Sequence, residues 1–143
     1  MTIKKLGFVL VCLVTGTLMA QEAKVAELFS KDLTDLPGNK EGLMITVEYP
    51  PGSVDPIHRH NAHGFIYVLE GSVVMQVKGG KQVTLTPGQT FYEGPNDVHT
   101  VGRNASTTKP AKILAFLVKD RGAPLVIPSD GLRNDSQAKP VAK

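Results

Sequence analysis

Two short runs rich in β-branched residues, Val73-Val-Met-Gln-Val-Lys78 and Lys81-Gln-Val-Thr-Leu-Thr86, flank Gly79-Gly80, and this arrangement constrains the fold more than any other stretch of the chain. A Gly-Gly pair supplies the positive φ angles that a two-residue hairpin turn requires, and Val83 and Leu85 fall on one face of the second run. The segment therefore predicts a β-hairpin. The same grammar recurs on both sides of it. Strands are expected over Leu43–Tyr49, Phe65–Leu69, Thr90–Glu93, Val98–Val101 and Ile113–Val118, punctuated by Pro50-Pro51-Gly52, Pro87-Gly88 and Gly94-Pro95-Asn96. Val25–Phe29 reads equally as an edge strand or a short helix. No sustained three-to-four-residue apolar repeat follows Ala20, so the fold class is all-β. Phe65-Ile-Tyr-Val-Leu69 and Ile113-Leu-Ala-Phe-Leu-Val118 are apolar on both faces, which predicts core strands covered by a layer on each side.

The ends of the chain read differently from its middle. Lys4 and Lys5 precede an apolar run, Leu6 to Ala20, that closes on Thr17-Leu-Met-Ala20, the pattern of a secretory signal peptide cleaved after Ala20. The run has fifteen residues, and a membrane-spanning helix needs about 20. Cys12 follows the bulky Val11, where a lipidation signal wants a small residue. The expectation is a leader at residues 1–20, one domain at 21–130 and a disordered polar tail at 131–143, with the mature protein periplasmic or secreted. The full chain carries 16 Lys and Arg against 13 Asp and Glu. Without Lys4 and Lys5 the balance is 14 against 13, a net charge of +1 with no basic stripe, which excludes a nucleic-acid role. Cys12 is the single cysteine and leaves with the leader, so neither a disulfide nor thiol chemistry is expected in the mature chain.

All four histidines fall between residues 58 and 99, three of them within Pro56-Ile-His58-Arg-His60-Asn-Ala-His63-Gly64. Residues two apart on a strand project to the same face, about 7 Å apart at a rise of about 3.3 Å per residue, so His58 and His60 can close on one ion. Such an ion needs a third ligand from elsewhere, and His99, following its own Gly-Pro turn, is the candidate.

The region Gly52 to Asn104 resembles the two-motif core of the cupin superfamily. The first motif runs glycine, five residues, His-x-His, three residues, Glu, six residues, glycine, and Gly52, His58, His60 and Gly71 stand at those spacings. The carboxylate position is Gly64. In the second motif Gly88 and His99 keep the family separation, while Gly94 and Asn96 replace a proline and a glycine, and Pro95 and Asn104 are each displaced by one. Tyr67-Val-Leu-Glu-Gly71 and Leu85-Thr-Pro-Gly88 also look like segments of small bacterial cupins. The resemblance implies a double-stranded β-helix, or jelly-roll barrel, commonly a homodimer, with a metal inside one end.

Three answers to the missing carboxylate are open. His63 can turn inward after Asn61-Ala62, although strict alternation points it away; Glu93 can reach in from Phe91-Tyr-Glu93; or three histidines stand alone and leave coordination positions to water and substrate. Such donors suit iron(II), manganese, nickel, copper or zinc. Whichever of Glu93 and His63 is not a ligand is the candidate catalytic acid or base. Phe65, Tyr67, Phe91, Tyr92, Met44 and Met75 are candidates to line an apolar pocket, with plain core packing as the alternative. Arg59 is expected to face outward, Glu70 to sit exposed at a turn, and Arg103 to be either solvated or a partner for a substrate carboxylate. The leading functional expectation is a metal-dependent enzyme on a small molecule, with dioxygenase-type chemistry first and a lyase or isomerase second. The rival is a non-catalytic binding or sensing protein.

Overall fold

The computed structural model describes residues 21–128, and the expected leader and polar tail lie outside the described residues. Ten strands are present: β1 (Lys24–Leu33), β2 (Lys40–Tyr49), β3 (His58–Arg59), β4 (Ala62–Glu70), β5 (Val73–Val77), β6 (Val83–Leu85), β7 (Thr90–Glu93), β8 (His99–Asn104), β9 (Ala111–Asp120) and β10 (Ile127–Pro128). They form two five-stranded sheets, ordered β1-β2-β9-β4-β7 and β10-β3-β8-β5-β6, with every pairing antiparallel. No helix among the described residues is long and apolar enough to cross a membrane.

The hairpin forms as β5 and β6, but not with a two-residue turn: Val73 pairs with Leu85 and Met75 with Val83, which centres the connection on Gly79, and only Gly79 of the pair takes a positive φ, 82°. The Val25–Phe29 ambiguity resolves to strand, because β1 pairs along the edge of β2 from Lys24↔Glu48 to Leu33↔Lys40. The two shortest strands, β3 and β10, had no periodic signal in the sequence.

The core lies between the sheets. Ile45, Val47, Ile66, Val68, Ile113 and Leu117 point inward from one sheet and meet Val73, Met75 and Leu85 of the other. Lys119, at the far end of the inner face, is buried but paired with Glu41 and donates to the Ala123 carbonyl at 2.6 Å. Gly71 connects β4 to β5 at φ +68°, and a Cβ there would stand 2.5 Å from the Pro110 carbonyl oxygen.

The expectation of two covering layers fails on one side. Alternation along β4 and β9 buries Ile66, Val68, Ile113 and Leu117 but turns Phe65, Tyr67 and Leu69 out of the barrel, with Phe65 51% exposed. Direct cross-strand partners on that outer face form one row across the whole sheet: Phe29, Met44, Phe116, Phe65 and Tyr92.

Candidate metal centre

Gly52, at φ 73°, turns the chain after Pro51 and sends residues 53–55 along β8, where Asn104 N–H donates to Ser53 O at 3.0 Å and Asp55 N–H to Gly102 O at 2.7 Å. This approach sets β3 beside β8 with His58 directly opposite His99. The turn before β8 is pinned by Asp97, whose Oδ2 accepts from Gly94 N–H at 2.7 Å. His60 follows β3, and Asn61 then takes a positive φ of 48° before β4 begins.

The three rings converge. His58 and His60 meet edge-on with centroids 4.6 Å apart, and His58 and His99 lie 5.1 Å apart. One donor nitrogen from each of the three falls within 4.8 Å of the others.

Hydrogen bonding fixes what these nitrogens offer. His58 Nδ1 lies 2.7 Å from Pro56 O and His60 Nδ1 lies 2.6 Å from Leu125 O. A carbonyl only accepts, so each Nδ1 carries the hydrogen and each neutral ring keeps a bare lone pair on Nε2. Those two Nε2 atoms face each other at 3.0 Å. Two lone pairs at that distance repel unless a cation or proton lies against both. Burial, with His58 adding to it, holds His60 below the ordinary imidazole range, which opposes a proton there at neutral pH. His99 is buried with both ring nitrogens lacking a hydrogen-bond partner, and burial followed by His58 and His60 pushes it down to about 4. Oriented imidazole nitrogens that converge, with both nitrogens of His99 unsatisfied, fit a divalent metal.

Glu93 lies beside the three rings. It is buried on β7, with Oε2 at 3.6 Å from His60 Nε2 and Oε1 at 3.6 Å from His99 Nδ1. Burial first, then Asp97 and Asp55, raises it to about 7. Phe91, two residues earlier on the same face, stacks over His99 at 6.5 Å.

His63 is not part of the site. The period of β4 turns Ala62 and Gly64 inward and His63 out, where its Nδ1 lies 2.7 Å from the Tyr92 hydroxyl. Its expected roles as ligand or catalytic group are corrected by that alternation. The same reasoning removes Phe65, Tyr67, Tyr92 and Met44 from the pocket; of the six expected lining residues only Met75 reaches the wall, and Phe91 packs against the core. Arg103 donates to the Asn104 carbonyl at 3.2 Å and does not line the cavity. Glu70 is exposed and Arg59 half-buried.

A cavity of about 630 Å³ opens onto the histidines, walled by Ile45, Val47, Ile66, Met75, Ile113 and Leu117 among others, with no Lys or Arg among the described residues of its lining. Asp55 and Tyr49, which the sequence reading missed, contribute polar wall: Tyr49 donates to Asp55 Oδ2 at 2.7 Å. Burial raises Asp55 above its ordinary value despite that bond, and burial followed by Asp55 raises Tyr49 well above 10. Gly102 makes room for Asp55 and His99, since a Cβ there would meet Asp55 Oδ2 at 2.6 Å and His99 Cε1 at 3.0 Å. Alternation along Leu43–Tyr49 already aimed Tyr49 inward, whereas the Leu125 carbonyl, as main chain, had no signal in the sequence.

Comparison with known proteins agrees with this fold. A family model described as "Cupin domain" matches residues 45–117, just over half of the chain. No curated protein matches. Among solved structures, an uncharacterized conserved protein with a double-stranded β-helix domain from Klebsiella pneumoniae is 15% identical, with a TM-score of 0.57 over 71% of this chain and 81% of that one. A predicted oxalate decarboxylase from Thermotoga maritima is 23% identical, with a TM-score of 0.55 over 68% and 80%. The DMSP lyase DddQ from Ruegeria pomeroyi is 20% identical, with a TM-score of 0.55 over 62% and 43%. At these identities the likeness is one of fold.

Proposed function

The chain belongs to the cupin family, and from that premise we propose that it is a metal-dependent enzyme acting on a small, neutral, largely apolar molecule. The observation that carries this reading is the facing pair of His58 and His60 lone pairs at 3.0 Å beside the unpartnered His99. These three residues hold the ion, with iron, manganese, nickel, copper and zinc all compatible with their nitrogens. When bound, a redox-active ion supplies dioxygen chemistry, and a redox-inert one supplies Lewis acidity toward a carbonyl or bound water.

The chain's own residues narrow the substrate. A wall of Ile, Val, Leu and Met favours an aromatic or aliphatic body, and the lack of Lys or Arg among the described lining residues disfavours a dianion. The oxalate named for one structural neighbour is therefore a poor fit here. Dioxygenase-type chemistry is the first reading. A lyase or isomerase reaction is the second, favoured by Asp55, a cavity-wall carboxyl outside the histidine cluster that can take a proton from a bound substrate. Tyr49 orients Asp55 and, with its own ionisation pushed upward, remains a donor at neutral pH.

The leader pattern at Lys4, Lys5 and Leu6–Ala20 supports export to the periplasm, and the outer apolar row supports a homodimer. The test of function is oxygen uptake by the iron(II)-loaded protein across catechols, flavonols and β-diketones, beside anaerobic turnover of the same panel. Uptake that His99→Ala abolishes is expected. Anaerobic conversion instead selects the lyase or isomerase reading, and tight binding of unaltered compounds at full metal occupancy overturns the enzyme reading altogether.

A further inference from the structure

Resting on the metal reading above, we propose that Glu93 is a fourth ligand to the same ion, a carboxylate transposed from β4 to the adjoining strand β7. Three observations bring it there. Gly64, which stands where the family pattern carries its carboxylate, is the direct cross-strand partner of Glu93, and both face inward. A carboxylate carried by residue 93 thus starts one strand spacing, about 4.8 Å, from where a side chain at 64 would start, and a glutamate spans that difference. Gly64 also leaves the path clear. Its backbone has no positive φ, and a Cβ there would lie 3.8 Å from Glu93 Cβ in ordinary contact, so main-chain geometry does not demand glycine at this position. What its missing side chain provides is space in front of the histidines.

The third observation is the spacing of the donors. Glu93 Oε2 to His60 Nε2 and Oε1 to His99 Nδ1 are both 3.6 Å, too long for hydrogen bonds. Donors held about 2.1 Å from one ion stand roughly 3.0–3.4 Å apart for right-angle to tetrahedral arrangements, close to these separations. A carboxyl oxygen also hardens an all-imidazole set, shifting its preference toward iron(II) and manganese and away from copper.

The experiment loads the full chain with cobalt(II) and reads stoichiometry, affinity and visible ligand-field bands for wild type, His99→Ala, Glu93→Gln, and Glu93→Gln combined with Gly64→Glu. Wild type is expected to bind one ion. Glu93→Gln is expected to weaken binding beyond the roughly 10–100-fold that loss of an outer-shell partner costs, and to change the bands. Returning the carboxylate to position 64 is expected to recover most of the affinity. If a variant does not fold, an infrared difference spectrum of wild type on cobalt addition tests the same bond, through the shifted stretch expected of a coordinated carboxylate; an unshifted stretch at full occupancy overturns the ligand. Wild-type affinity and bands in Glu93→Gln, while His99→Ala loses the ion, overturn the fourth ligand and leave the histidine site standing. Weaker binding with unchanged bands makes Glu93 an outer-shell group and likewise overturns it. A wild type that takes up no cobalt overturns both readings.

Discussion

Gly102 shows how closely the site depends on single atoms. It lets Asp55 and His99 pack against one strand, and Gly102→Ala introduces a Cβ within 3.0 Å of both. The expected result is a folded protein with metal affinity lowered about tenfold or more, since shifted donors cost what lost outer-shell partners cost. Isothermal titration with the metal checks it. Tyr49 makes a different prediction. Its ionisation is raised well above 10 by burial and then by Asp55, so the folded chain keeps the phenol proton where the unfolded chain releases it. That contribution is fully present below pH 10 and is lost as pH rises through the folded value, at up to about 1.4 kcal/mol per pH unit. Denaturant unfolding from pH 9 to 11 should show a steeper decline for wild type than for Tyr49→Phe.

At the scale of elements, turns and strand period were legible because local chemistry sets them. Gly71 is an example: with φ +68° and backbone atoms 2.5 and 2.7 Å from where a Cβ would stand, Gly71→Ala should cost about 2–5 kcal/mol from left-handed strain and overpacking together, read as a lower denaturant midpoint. The hairpin of β5 and β6, the strands β2, β4, β7 and β9, and the trio His58, His60 and His99 all followed from spacing and periodicity. The rest depended on pairing between distant segments. The two-residue strands β3 and β10 exist only through their partners. His63 was ambiguous until the register of β4 put it outside, and the position of Glu93 opposite Gly64 was not legible until β7 paired with β4. Both faces of β4 are apolar, Ile66 and Val68 within and Phe65, Tyr67 and Leu69 without, so hydropathy alone did not tell Phe65 from Ile66 as pocket wall.

For the whole molecule, the five-residue row from Phe29 to Tyr92 is an apolar face that the described residues leave uncovered. Phe29, Phe65 and Tyr92 are well exposed, at 58%, 51% and 49%, while Met44 and Phe116 are half-buried. Pairing two such faces removes apolar surface of the kind homodimer interfaces bury. Light scattering is expected to give a dimeric mass for wild type and a monomeric one for Phe65→Glu, with the metal site intact in both. The bond from His60 Nδ1 to Leu125 O ties the centre to the end of the described chain, where β10 closes on β3. An ion that fixes the His60 ring therefore fastens the segment from Arg121 to Pro128, and stripping it with a chelator should raise tryptic cleavage after the exposed Arg121 severalfold, as mass spectrometry of the fragments would record. On the metal reading, chains without an ion are expected to offer the segment beyond Arg121 to proteases first, so that metal supply would govern how long a copy survives among them.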